Sequence, residues 1–132
     1  MRYMFLIYSR ELELAEGSDV DMQDLAKRHW AVMDAAKQQG GFHGAQPLQA
    51  TSTATTVRMD NGKPLIIDGP FAETKEQLAG YYILECRNLD EAIAWARKIP
   101  TACQGGAGCI EIRPMAELPS RSDQGPGDRD SG

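Results

Sequence analysis

Tyr3-Met4-Phe5-Leu6-Ile7-Tyr8 is apolar or aromatic at every position. Successive side chains of a strand point to opposite faces, so such a run has to be covered on both sides. It reads as a central strand. Gly80-Tyr81-Tyr82-Ile83-Leu84-Glu85-Cys86 repeats the pattern and is expected to lie beside it. The rest of the chain is read outward from these two segments.

Between them, Ser18 and Asp21 form a capping signal for a helix over about Val20 to Gln39, which Gly40-Gly41 ends. Its apolar stripe at helical spacing is Met22, Leu25, Ala26, His29, Met33 and Ala36, which puts a histidine on the core-facing side. Phe42 to Leu48 reads as a short strand. Thr53 to Met59 and Leu65-Ile66-Ile67 flank Asn61-Gly62, the signature of a two-residue hairpin turn. Asp68-Gly69-Pro70 breaks the chain, and Thr74 to Leu78 is expected to make a single helical turn. After the second apolar strand, Asn88 with Glu91 caps a helix whose stripe is Leu89, Ala92, Ile93, Ala96 and Ile99, with Pro100 beyond it. Cys109 to Arg113 is the last strand, with Ile110 and Ile112 on one side.

The order strand, helix, strand, hairpin, strand, helix, strand is that of an α+β, ferredoxin-like split βαβ fold with an inserted β-hairpin. Two helices cover only one face of such a sheet, yet two of its strands are apolar on both. A second copy is the simplest cover, so a homodimer is expected, its facing sheets forming a dimeric α+β barrel.

At 132 residues the chain suits one core, and we assign the domain to residues 1–118. Residues 119–132 contain no apolar side chain other than proline and are expected to be a disordered C-terminal tail. The net charge of −5, with no cluster of Lys or Arg, argues against nucleic acid as a partner. No apolar run approaches the length needed to span a bilayer, and no secretory leader pattern opens the sequence, so no membrane association and a cytoplasmic location are expected. Cys86, Cys103 and Cys109 have no zinc-type spacing, and two histidines without a matching Asp/Glu/Cys set define no metal site. Gly105-Gly106-Ala107-Gly108 lacks the Lys-Ser/Thr of a phosphate loop. Neither a metal nor any other cofactor is expected.

Asp68-Gly69-Pro70-Phe71-Ala72-Glu73-Thr74-Lys75-Glu76-Gln77-Leu78, followed by Gly80-Tyr81-Tyr82, closely resembles the YCII-related family, in the branch named for its DGPF motif. The resemblance continues through Leu89-Asp90-Glu91-Ala92, Trp95, Ile99-Pro100 and Glu111-Ile112-Arg113-Pro114. It implies a ferredoxin-like dimer. For function it implies two unlike things, because one relative is a dehydrochlorinase acting on a chlorinated hydroxyquinol and some members carry a His-Asp pair, whereas others are tied to extracytoplasmic-function sigma factors. An association with a sigma factor in transcription regulation is thus the alternative to catalysis. His29 matches the family's helix-one histidine in its spacing to Gly40.

An imidazole exchanges protons near neutral pH, and a carboxylate partner would orient it. His29 is therefore the candidate catalytic residue of a lyase- or isomerase-type enzyme acting on a small aromatic or carbonyl compound. Asp34 points to the other side of the helix, which leaves Asp68, Glu73 or Asp60 as its partner. Asp68 is the candidate taken, against its alternative role in an Asx-type turn before Gly69-Pro70. Tyr8, Tyr81 and Tyr82 are candidate ligand-binding residues whose ordinary role is packing. Glu73 and Lys75 are candidates too, though a polar loop more commonly holds solvated charge.

Overall fold

The computed structural model describes residues 1–11, 22–101 and 108–121. Strands β1 (Arg2–Ser9), β2 (Phe42–Pro47), β5 (Gln77–Glu85) and β6 (Cys109–Pro114) form one antiparallel sheet in the order β2-β5-β1-β6. Helices α1 (Met22–Gln38) and α2 (Leu89–Ala96) complete two split βαβ units, so the fold is ferredoxin-like α+β. Strands β3 (Thr55–Asp60) and β4 (Lys63–Asp68) pair only with each other, as a separate ribbon.

β1 and β5 are the two inner strands, as their patterns require. Tyr3, Phe5, Ile7 and Ser9 of β1 and Gly80, Tyr82 and Leu84 of β5 are buried on the helix side. They meet Val32 and Ala36 of α1 and Ala92 and Trp95 of α2 in one core. The alternate positions Met4, Leu6, Tyr8, Tyr81 and Ile83 are half-buried on the face without helices.

α1 ends in a Schellman arrangement: Gly40 takes φ 77°, its N–H donates to Lys37 O at 3.0 Å, and Gly41 N–H donates to Ala36 O at 3.1 Å. α2 starts where expected, with Glu91 N–H donating to the Asn88 side chain at 2.9 Å. Its buried face is set by Ala92 and Trp95, and Leu89 is 53% exposed. The stripe is thus rotated from the expected one, toward the side chain with the largest apolar area.

Residues 74–78 do not form the expected helical turn. Thr74 Oγ1 donates to Glu76 O and Gln77 Nε2 to Thr74 O, at 2.7 and 2.6 Å, and β5 begins at Gln77, opposite Ser9. Ladder pairing with β1 outcompetes a local capping signal that has only one turn to stabilise. The ribbon turn is as expected, Asn61 and Gly62 having φ 51° and 80°. The glycine-rich run at 104–107 and the tail from residue 122 lie outside the described residues.

At Gly80 the backbones of β5 and β2 come close. A Cβ there would sit 2.8 Å from Gln46 O and 3.2 Å from Pro47 Cα, whereas one at Gly44 would meet nothing within 4 Å. Gly80→Ala should therefore destabilise the protein in urea denaturation by about 1–3 kcal/mol. Gly44→Ala should stay within about 0.5 kcal/mol of the parent.

Candidate functional site

A cavity of about 390 Å³ lies between α1 and the β2 end of the sheet. Leu25, His29, Trp30 and Met33 contribute to it from α1, and Ile7, Ser9 and Tyr82 from the inner strands. On the sheet side its lining includes the small residues Ala45 and Gly80. Its volume is at the lower end of small-molecule sites, about 300–1,000 Å³.

His29 Nδ1 lies 2.7 Å from Tyr82 Oη, a contact in which either atom can donate. The rings are 5.8 Å apart at their centroids and tilted by 31°. Tyr82 Oη is also 3.4 Å from the main-chain oxygen of His29, to which it can donate. Burial, reinforced by the neighbouring Arg28 charge, holds His29 below its ordinary value of 6.5, so the ring is neutral at pH 7. Burial pushes the Tyr82 phenol up to about 12, so it keeps its proton. The pair has two complementary states. When the phenol donates to Nδ1, Nε2 carries the ring proton; when Nδ1–H donates to the phenol oxygen, Nε2 has a free lone pair.

Of the other residues singled out from the sequence, Tyr81 borders the cavity, although strand alternation turns its side chain to the helix-free face. Tyr8 is half-buried on that same face. Asp68 ends β4 on the exposed ribbon, and Glu73 and Lys75 are exposed in the segment leading to β5. None of these three lines the cavity, nor does Asp60; the partner of the imidazole is the phenol of Tyr82. His43, the extra residue in the β2–β5 pairing, points Nε2 at Glu85 Oε1, 3.5 Å away.

Ser9 and Trp30 are among the cavity residues that the sequence does not single out. Ser9 follows Tyr3, Phe5 and Ile7 in the buried phase of β1, so a polar residue in an apolar rhythm was the available signal. Trp30 lines the cavity while 57% exposed, one position beyond the apolar stripe of α1.

At the opposite end of α1 lies a second, open cleft bordered by Gly40, Cys86, Glu91 and Trp95. Burial pushes the Cys86 thiol up, which leaves it a poor nucleophile. Among the described residues no group of three His, Cys, Asp or Glu side chains is placed to hold a metal ion. No helix among them is long and apolar enough to cross a membrane.

The family model for the YCII-related domain matches residues 1–118. An uncharacterized protein of Rhizobium meliloti (strain 1021) is 36% identical over 125 residues, which span 91% of this chain and 100% of that protein.

The lowered His29 value fixes the sign of a pH effect on stability. The unfolded chain takes up a proton near 6.5 while the folded site still resists it. The contribution of His29 is whole above that value and is lost as pH falls toward the folded one. In thermal melts between about pH 7.5 and 5.5, the parent should lose more stability than His29→Gln. Equal losses would mean that the ring is not held neutral.

Proposed function

The chain belongs to the YCII-related domain family, and for this member we propose a small-molecule site between α1 and the sheet in which His29, steered by Tyr82, moves a proton on a bound aromatic or carbonyl compound. The observation that carries this reading is the 2.7 Å contact between His29 Nδ1 and Tyr82 Oη in the wall of an apolar cavity. A neutral imidazole with one nitrogen engaged by a protonated phenol has its other nitrogen free for a ligand. Nε2 takes a proton from a carbon next to a carbonyl, and Nδ1–H of the resulting imidazolium donates to the Tyr82 oxygen. Return of that proton to another atom of the ligand completes an isomerisation. Loss of a leaving group with its bonding electrons, before the proton is released to water, completes an elimination. Asp68 would act on this site only if the ribbon moved toward it, and Glu73 and Lys75 only if the segment before β5 did.

The same reading includes a homodimer. Met4, Leu6, Tyr8, Tyr81 and Ile83 form an apolar centre on the helix-free face of β1 and β5, and a second copy laid sheet to sheet would remove it from water as a dimeric α+β barrel.

Proton transfer is tested with 2-tetralone in D₂O, following loss of its α-proton signals by NMR. The parent should accelerate exchange, and His29→Gln should lower the enzymatic rate by about 10²–10⁴-fold. Exchange no faster than in free imidazole would leave binding without catalysis. Absence of binding as well would shift the reading to a protein-contacting module, as with a sigma factor. Light scattering should give twice the 14.5 kDa chain mass, and Leu6→Glu, which places a carboxylate opposite Glu111, should give the monomer. A monomeric parent would remove the dimer from this reading.

A further inference from the structure

Met22, Ala26 and Trp30 of α1 all line the cavity and stand four residues apart. Such positions lie one above the other on a helix. They form the outer row of the wall: Met22 is 63% and Trp30 57% exposed, while Ala26 between them is half-buried. A second row at the same spacing, Leu25, His29 and Met33, lies deeper, with Leu25 buried and the other two half-buried. On its cavity side the helix thus carries a notch at the small Ala26, flanked by a thioether and an indole.

Helical side chains lean toward the N-terminal turn, which directs the indole of Trp30 toward Ala26. Its aromatic surface is among the costliest to leave in water, and it stands where an apolar cavity meets solvent. A molecule in the cavity that reaches over Ala26 covers both the indole and the Met22 thioether. Both groups favour a flat π system over a saturated ring of the same size. Aromatic pairs gain more than their buried area supplies, and sulfur makes favourable contacts with aromatic rings.

We propose that the notch over Ala26 is the ring-binding part of the cavity and that Trp30 selects an aromatic ring there, ahead of saturated or open-chain carbonyl compounds. The inference rests on the cavity being a binding site, as above, and adds its ligand class and a specificity-determining residue. The two adjacent residues divide the work. Trp30 holds the ring at the mouth, and His29, about 100° round the helix in the deeper row, reaches the atoms that lie farther in. An exposed indole one position beyond the apolar stripe is thereby accounted for: its cover arrives with the ligand.

The test compares 2-tetralone with trans-2-decalone, which keeps the ketone and the two fused rings but has no aromatic ring, by calorimetry at neutral pH. Hydrophobic burial alone does not favour the tetralone, since the decalone is the more apolar. The parent should nevertheless bind 2-tetralone about three- to tenfold more tightly. Trp30→Leu keeps an apolar side chain and removes the π face; it should weaken 2-tetralone until the two affinities agree within about twofold, and leave trans-2-decalone unchanged. Ala26→Leu fills the notch with another good helix former and should weaken both ketones by at least about tenfold. A parent without the preference, or a preference that survives in Trp30→Leu, overturns the proposal while the cavity stands as a site. An equal loss of both ketones in Trp30→Leu also overturns it, since the indole would then be only an apolar wall. Full affinity in Ala26→Leu places the ring elsewhere and overturns it too. If the parent binds neither ketone, the site reading itself fails and this inference with it.

Discussion

The structure depends on the pairing of β1 with β5. Both strands are apolar on both faces, so neither can lie at an edge or face water without a large loss of hydrophobic stabilisation. Placing them side by side at the centre leaves the outer positions to β2 and β6, whose side chains tolerate solvent. The two helices then follow, each linking an inner strand to an outer one across the strand between them. The core is the layer they enclose, with Phe5, Leu84 and Cys86 fully buried at its centre.

That much was legible because each signal is local and unopposed. A doubly apolar run identifies an inner strand, Asn61-Gly62 a tight turn, Gly40 a helix end and Asn88 a helix start. Illegible features were those decided by competition. Thr74 and Gln77 carry a capping pattern, but Gln77 has a ladder partner in Ser9 and goes extended. Leu89 is apolar and in helical phase with its neighbours, but rotating α2 to bury Trp95 turns Leu89 outward. Such outcomes depend on what stands opposite a residue, which a sequence does not print.

The candidate site shows the same division. His29 was visible as a polar residue on an apolar stripe, and the structure places it in the cavity wall. From the sequence its expected partner is a carboxylate, because an imidazole is commonly oriented by one. The phenol of Tyr82 does not stand out in the sequence as an orienting group, because a tyrosine in a core strand is fully accounted for by packing. Only the geometry reveals that its ring fills the core while its hydroxyl reaches the edge of the cavity. Ser9 was harder still, since strand alternation had to be trusted for one residue beyond the apolar run.

The ribbon of β3 and β4 has a different standing in the molecule. It shares no ladder with the main sheet, and the bonds near its base join its own two arms: Gly69 N–H to Ala54 O, Thr56 Oγ1 to Gly69 O and Arg58 Nη2 to Phe71 O, at 2.8, 2.8 and 2.9 Å. Two strands alone are marginal in water, so the ribbon can open as a small cooperative unit while the sheet stays closed. Its amides would then exchange with solvent at a rate set by those bonds, independent of global unfolding. The core places no demand on its length, so this insertion is where the chain can grow, shrink or diverge without disturbing the four-stranded frame.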